Sequence, residues 1–266
     1  MRGVSRHGVD ALPIIRRSKT HGGRSKKLIC ELEASLLTNP FVHMLATPLR
    51  RCFVTTATLP NALLIKLKPV FMPSADGTSL EETIVPEGLL HPRFESQRTS
   101  PGMYITADRF VFQHLVKKRL YRAMAPNATI SPHLESLITH QLMQRVNQEA
   151  ELLCKRAQTG ALVRTVDAQP VALLQETEGT LCRQWTPGLR HVPTYALPRL
   201  MQDARLRDTL LDHLTRASRT NRGWVLTSTD GIRTWHLQRH QHTTSMAVAL
   251  WRLAAWNDSG AKLSPV

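Results

Sequence analysis

SPHLESLITHQLMQRVNQEAELLCKRA, residues 131–157, is the stretch whose reading decides the fold. Leu134, Ile138, Leu142, Val146, Ala150 and Leu153 recur at intervals of three or four. That is the helical period, so all six residues share one face. Ser131-Pro132 predicts the start, with Ser as cap and Pro in the first helical position. Gly160 predicts the stop. A long helix with an apolar stripe has to be covered, and the flanking segments must supply the cover.

Upstream, Met103 to Ile105 reads as a short strand leading into a second helix, from about Ala107 to Met124. Thr106 is its expected N-cap. Phe110, Val111, Leu115, Tyr121 and Met124 are its expected apolar stripe. Residues 72–101 hold Pro73, Gly77, Pro86, Gly88, Pro92 and Pro101 and read as a loop-rich excursion. Before them, residues 52–71 are rich in Val, Thr, Ile and Leu, with Pro60 between two extended runs. Proline interrupts a ladder, so the expectation is strand, turn, strand, the second from Leu63 to Lys68. Residues 31–46 read as a short helix broken at Asn39-Pro40.

Downstream, Leu162 to Val166 and Val171 to Leu174 read as two strands around Asp167-Ala168-Gln169-Pro170. Residues 179–198 read as irregular, and a helix follows from about Arg199 to Ser218. Trp224 to Ser228 and Ile232 to Leu237 flank Asp230-Gly231, a hairpin turn signal. A last helix is expected from about Thr244 to Trp256. There is no internal repeat. This order implies an α/β or α+β fold, a mixed sheet of short strands and hairpins packed by about four helices. The expected division is a basic leader or tail at 1–30, one α/β domain at 31–258 and a frayed end at 259–266.

Of 266 residues, 42% are hydrophobic and 5% aromatic, so Leu, Val, Ile and Ala must carry the burial. Lys and Arg number 35 against 20 Asp and Glu, a formal net charge of +15. Such an excess attracts polyanions, because each cation near a phosphate releases condensed counterions. Arginine also forks onto phosphate oxygens. Nucleic acid is the first partner implied, and an anionic membrane surface the second.

Residues 1–27 carry Arg2, Arg6, Arg16, Arg17, Lys19, Arg24, Lys26 and Lys27, with Asp10 as the only acid and several hydroxyls. This is the composition of a mitochondrial transit peptide. The alternative is a basic tail that binds RNA or nothing. Glu31 and Glu33 follow the run, and the mature protein is expected to begin near them. No run of 18 or more apolar residues exists, so no membrane-spanning helix is expected.

The four cysteines, Cys30, Cys52, Cys154 and Cys182, are far apart. That spacing argues against a structural zinc site and a disulfide framework, and leaves idle thiols. His236, His240 and His242 cluster, but no nearby carboxylate or thiol completes a metal set, so a polar turn is expected. Asp167 and Glu176 lie at the first predicted hairpin, where paired acids can hold magnesium for phosphodiester cleavage. The lysine that usually follows is missing, since Thr177 and Glu178 come next. No phosphate-binding loop, dinucleotide fingerprint, serine-hydrolase elbow or zincin helix is present. No catalytic residue, cofactor or metal is therefore assigned.

The basic patches are the candidate contacts. Arg50 and Arg51 sit at a corner between helix and strand. Lys117, Lys118, Arg119 and Arg122 crowd the end of the second helix, together with Tyr121. Arg205, Arg207, Arg216, Arg219 and Arg222 decorate the helix at 199–218 and its exit. From these, Arg50, Arg51, Lys117, Lys118, Arg119, Arg122, Arg205, Arg216 and Arg219 are taken as the nucleic-acid or partner contacts. Each patch is equally read as a solvated face.

His43-Met44-Leu45-Ala46-Thr47-Pro48-Leu49-Arg50, then Leu63-Leu64-Ile65-Lys66-Leu67, then Leu90-His91-Pro92 before Met103-Tyr104-Ile105, form a recognisable series. In this order and spacing they resemble the fungal "required for respiratory growth protein eight" family, most clearly from about residue 40 to 116. The resemblance implies a mitochondrial protein needed for respiration and for keeping and expressing the mitochondrial genome. It carries over no catalytic residue. The expected function is a non-enzymatic matrix factor acting on RNA or a ribonucleoprotein, such as the mitoribosome or the tRNA-processing machinery. The alternatives are a divergent metal-dependent nuclease and a scaffold subunit of a mitochondrial complex.

Overall fold

Leu134–Gln158 forms one uninterrupted helix, because its apolar positions keep helical spacing and no Gly or Pro intervenes. The computed structural model describes residues 36, 38–74, 77, 79–94, 101–160, 170–177, 184–185, 192–219, 224–229 and 232–258. The chain divides into two units, Met1–Leu36 and Leu37–Val266, and all that follows belongs to the second. The predicted leader, the strand at 162–166, the turn at Asp230-Gly231 and the tail at 259–266 lie outside the described residues.

Six helices and three small sheets follow in chain order among the described residues, a mixed α/β fold. They are α1 (Pro40–Leu45), β1 (Leu49–Arg51), β2 (Thr58–Pro60), β3 (Leu64–Pro73), β4 (Leu80–Glu87), β5 (Met103–Thr106), α2 (Arg109–Lys117) and α3 (Leu134–Gln158). Then come β6 (Pro170–Gln175), β7 (Gln184–Trp185), β8 (Pro193–Ala196), α4 (Leu197–Leu200), α5 (Ala204–Ser218), β9 (Trp224–Thr229), β10 (Ile232–Gln238) and α6 (Thr244–Asn257). The sheets run β1-β2, β4-β3-β5 and β7-β8-β6-β10-β9. Among the described strands, only β6 and β8 pair in parallel.

The core gathers on α3. Ile138, Val146 and Leu153 are fully buried, as are Leu210 and Leu214 of α5 and Leu250 and Leu253 of α6. Trp256 of α6 is also fully buried; its indole N–H donates to Thr139 Oγ1 at 2.9 Å, and Phe112 meets its ring edge-on at 5.9 Å. Arg252 of α6 donates to the Leu64 carbonyl at 2.9 Å, and burial pushes its guanidinium down to about 10.

Five local readings change. Asn39-Pro40 starts a helix rather than breaking one: Asn39 Oδ1 accepts from Phe41 N–H at 2.9 Å, and Pro40 takes the first position, where no N–H is needed. The excursion at 72–101 contains β4, which tolerates Pro86 because it is an edge strand, paired in full with β3 alone. Asp108, not Thr106, caps α2, accepting from Phe110 N–H at 2.7 Å and Val111 N–H at 3.3 Å. Ser131 does not cap α3; its hydroxyl takes His133 N–H at 3.2 Å one turn too early. The helix predicted from Arg199 is two, separated at Met201–Asp203, with Asp203 capping α5 through Arg205 N–H at 2.9 Å.

The turn between β10 and α6 is polar. Thr243 accepts from His240 N–H at 3.1 Å and donates to the Gln238 carbonyl at 2.7 Å. His240 Nδ1 accepts from His242 N–H at 3.1 Å, which requires a bare ring nitrogen. His236 lies 2.8 Å from Thr227 Oγ1. Burial holds all three imidazoles below the ordinary histidine value, with the neighbouring His242 adding to it at His240 and Arg156 at His242. Burial does the same at His91 and His213.

Two outcomes follow from this packing. Leu153→Ala empties a fully buried site, and urea unfolding should show a loss of about 2–5 kcal/mol. The depressed histidines favour the neutral ring when folded, so the unfolded chain binds more protons below about pH 6.5. Their contribution is complete above that pH and is lost as pH falls through the folded values. The urea midpoint should drop between about pH 7.5 and about pH 5.5; an unchanged or higher midpoint contradicts it.

Candidate functional site

Lys117, Lys118, Arg119 and Arg122 are all exposed, and no acid pairs with them among the described residues. Their positions follow from how α2 ends. Lys118 N–H closes the last turn onto the His114 carbonyl at 3.0 Å. Arg119 then adopts the left-handed conformation, φ 53°, and Leu120–Ala123 forms a 3₁₀ turn. The reversal folds the four cations around one helix terminus, whose unpaired carbonyls favour positive charge. The helix predicted to run to Met124 thus stops at Lys117, and Tyr121 is buried rather than displayed beside the cations. Leu115 and Tyr121 anchor the turn from below. A non-glycine residue in the left-handed region costs on the order of 1–3 kcal/mol, so surrounding packing has to hold it there.

Arg50 and Arg51 lie on β1 and are exposed. The Arg50 guanidinium sits over the Tyr104 ring, 5.8 Å from its centroid, and Arg51 Nε donates to the Thr56 carbonyl at 3.3 Å. Tyr104 belongs to β5, before α2 begins. The Lys117 cluster is at the other end of α2, about 12 Å along the axis from Arg109 at 1.5 Å per residue. The two patches are therefore separate stations.

The third patch is dispersed. Arg216 is paired with Asp212, one turn earlier on α5, and that carboxylate raises its hold on the proton. Arg205 and Arg219 are exposed at opposite ends of α5. Arg207 turns back to the Met201 carbonyl at 3.5 Å, and Arg222 lies outside the described residues. Of the sequence-predicted contacts, Lys117, Lys118, Arg119 and Arg122 form the larger group without an acid among the described residues, and Arg50 with Arg51 the smaller.

The paired-acid reading finds little to build on. Glu176 is held by Arg233 at 2.6 Å, and Asp167 lies outside the described residues. The His240 and His242 rings stand 5.1 Å apart within the polar turn. Among the described residues no group of three or more His, Cys, Asp or Glu is placed to hold a metal ion. Cys52 and Cys154 are buried free thiols; Cys30 and Cys182 are not described. An open depression of 750 Å³ is lined by Pro132, His133, Ser136 and His140, with Arg109 at its wall. Arg109 is already bound to Glu135 at 3.1 Å, so the depression offers an anion no unmatched guanidinium.

Sequence reasoning missed one polar cluster. Glu149 lies on α3 at 1% exposure, paired with Arg145 at 2.7 Å and facing His91 Nε2 at 3.9 Å. Arg145 also donates to the Leu90 carbonyl at 2.8 Å, and Gln148 accepts His91 N–H at 2.8 Å. The signal was an acid three residues from Val146 of the apolar stripe, with Arg145 four residues before it. Its role is to dock the Leu90-His91 segment on α3. The other recognisable run is equally structural. Thr47 Oγ1 donates to the Met44 carbonyl at 2.7 Å and accepts from Ala62 N–H at 3.0 Å. The Pro48 carbonyl takes Asn61 N–H at 2.9 Å.

No described helix is long and apolar enough to cross a membrane. No curated protein and no solved structure matches the chain. The family model described as required for respiratory growth protein 8, mitochondrial, matches residues 9–184, a span that takes in both recognisable runs, α2 with its cations, and all of α3. The chain belongs to this family, that of a mitochondrial protein needed for respiratory growth.

Proposed function

We propose that this chain is a non-enzymatic basic factor of the mitochondrial matrix that docks on RNA or a ribonucleoprotein. It would serve the maintenance and expression of the mitochondrial genome, beside the mitoribosome or the tRNA-processing machinery. One observation carries the reading: Lys117, Lys118, Arg119 and Arg122 present unmatched positive charge around one helix end. The surplus of +15 over the whole chain supports it. The mechanism is electrostatic. Cations displace condensed counterions from phosphates, and Arg119 and Arg122 fork onto the oxygens. Arg50, exposed beside Tyr104, and Arg51 form a second contact for the same strand or for a protein neighbour.

The test is fluorescence anisotropy of the purified chain with labelled mitochondrial RNA, titrated at rising salt. Affinity should fall steeply with salt; equal binding at low and high salt defeats the mechanism. Lys117→Glu with Lys118→Glu should weaken binding roughly tenfold or more and flatten the salt slope. Its stability should fall by no more than about 1–2 kcal/mol, the cost of two acids at a helix C-terminus, because both side chains are exposed.

Arg119→Gly separates the two roles of its position. Glycine adopts φ 53° without strain, so stability should be unchanged or should rise by up to about 1 kcal/mol. RNA affinity should fall all the same, because a cation is gone. Affinity equal to wild type would place Arg119 outside the interface.

A further inference from the structure

We propose that Phe110 is a stacking platform for a base of single-stranded RNA, whose phosphates run along the cations at the end of α2. This rests on the RNA reading above and narrows it to unpaired strands.

The sequence pattern placed Phe110 in the core, but the ring is 70% exposed. The inward face of α2 is made by Phe112 and Leu115 instead. Helix geometry is the cause: Asp108 caps a helix that already includes Phe110, and with Phe112 inward, Phe110 two positions earlier faces the opposite way. Leaving such a ring in water forgoes about 1.5–3 kcal/mol of burial. The fold therefore makes no use of it.

The same face continues toward the cations. Residues 110, 113, 114 and 117 follow helical spacing, and Phe110, Gln113, His114 and Lys117 are all exposed. Phe110 and Lys117 are about 10 Å apart along the axis at 1.5 Å per residue. The stripe thus runs from an aromatic ring through an imidazole to Lys117, Lys118 and the reversal at Arg119. This is the pairing that binds single strands: an aromatic face for a base and a basic track for the backbone. A duplex keeps its base faces stacked inside and offers the ring nothing. Every base has such a face, so no sequence preference follows. The other strongly exposed phenylalanine provides a contrast. Phe71, 71% exposed, pairs across the β3–β4 hairpin with Glu82, and Glu81 is next to it. Among the described residues no cation cluster follows that ring, whereas Glu135, which accepts from Gln113 at 3.4 Å beside the α2 stripe, is matched by Arg109 and the stripe ends in four cations.

The experiment uses the full chain, with labelled oligouridine as the single strand and the oligouridine–oligoadenine pair as the duplex. Phe110→Ala should weaken oligouridine binding about tenfold, within the range of a lost base stack. It should leave duplex binding and the salt slope unchanged. Phe110→Trp should restore oligouridine binding, which a merely structural role would not require. Equal weakening on both probes, or no weakening on oligouridine, or failure of Trp to restore it, overturns the platform. If Lys117→Glu with Lys118→Glu loses both probes while Phe110→Ala changes neither, the platform falls and the electrostatic reading stands. If none of these variants changes binding, both fall.

Discussion

The second half of α3 is enclosed over most of its circumference, and the rest of the fold answers to that constraint. Val146, Asn147, Glu149, Ala150, Leu152, Leu153 and Cys154 are all buried, and at 3.6 residues per turn they span roughly 220° around the axis, leaving one strip with Glu151 and Lys155 toward solvent. A single neighbour cannot cover such a segment. α5 and α6 pack against α3, and the segment after β4 is bound to it through Leu90 and His91. The two polar residues that enclosure traps are each tied to a neighbour. Asn147 Nδ2 donates to the Leu206 carbonyl at 2.9 Å, where α5 begins, and Glu149 is held by Arg145. These bonds fix which element lies on which side, since a buried amide or carboxylate without its partner is costly.

That constraint explains why the recognisable runs are joints. Thr47 and Pro48 tie α1 to the turn before β3, and Leu90 with His91 ties the end of β4 to α3. Their backbone groups are consumed in these bonds. A family signature made of such residues reports architecture. These side-chain and backbone groups of Thr47, Pro48, Leu90 and His91 act in holding segments together, and the exposed Arg50 beside them is the part of the series that faces outward.

The parts of the fold legible in the sequence are those set by a local period. α3, α6, β5 and β10 appear within a few residues of their expected bounds, because each presents a regular apolar pattern to its cover. The parts that escaped depend on a single cap or a tertiary neighbour. Pro40 and Pro86 look like interruptions until Asn39 caps α1 and β3 pairs with β4. Two acids, Asp108 and Asp203, set the starts of α2 and α5. Phe110 is exposed because α2 turns Phe112 and Leu115 inward, a choice made by the tertiary neighbours. The basic cluster was legible as composition, but the reversal at Arg119 that gathers it was not, since a non-glycine residue carries no sequence signal for positive φ.

Net charge alone therefore says little about where a polyanion would sit. Internal pairs leave the surplus of +15 untouched but decide which cations remain unmatched. Lys66 and Lys68 converge on Glu87 at 2.5 and 2.6 Å, and, although burial alone would raise its carboxyl, they hold it below the ordinary carboxylate range. Arg109, Arg145, Arg216 and Arg233 each have their own acid. Salt bridges of this kind remove both signs from the field seen at a distance. Four cations without an acid among the described residues lie within six positions at the end of α2, Lys117 to Arg122, where two buried anchors hold the reversal. A left-handed residue just after the cap is an ordinary way to stop a helix, so the reversal decides where these charges stand and not, by itself, what they meet.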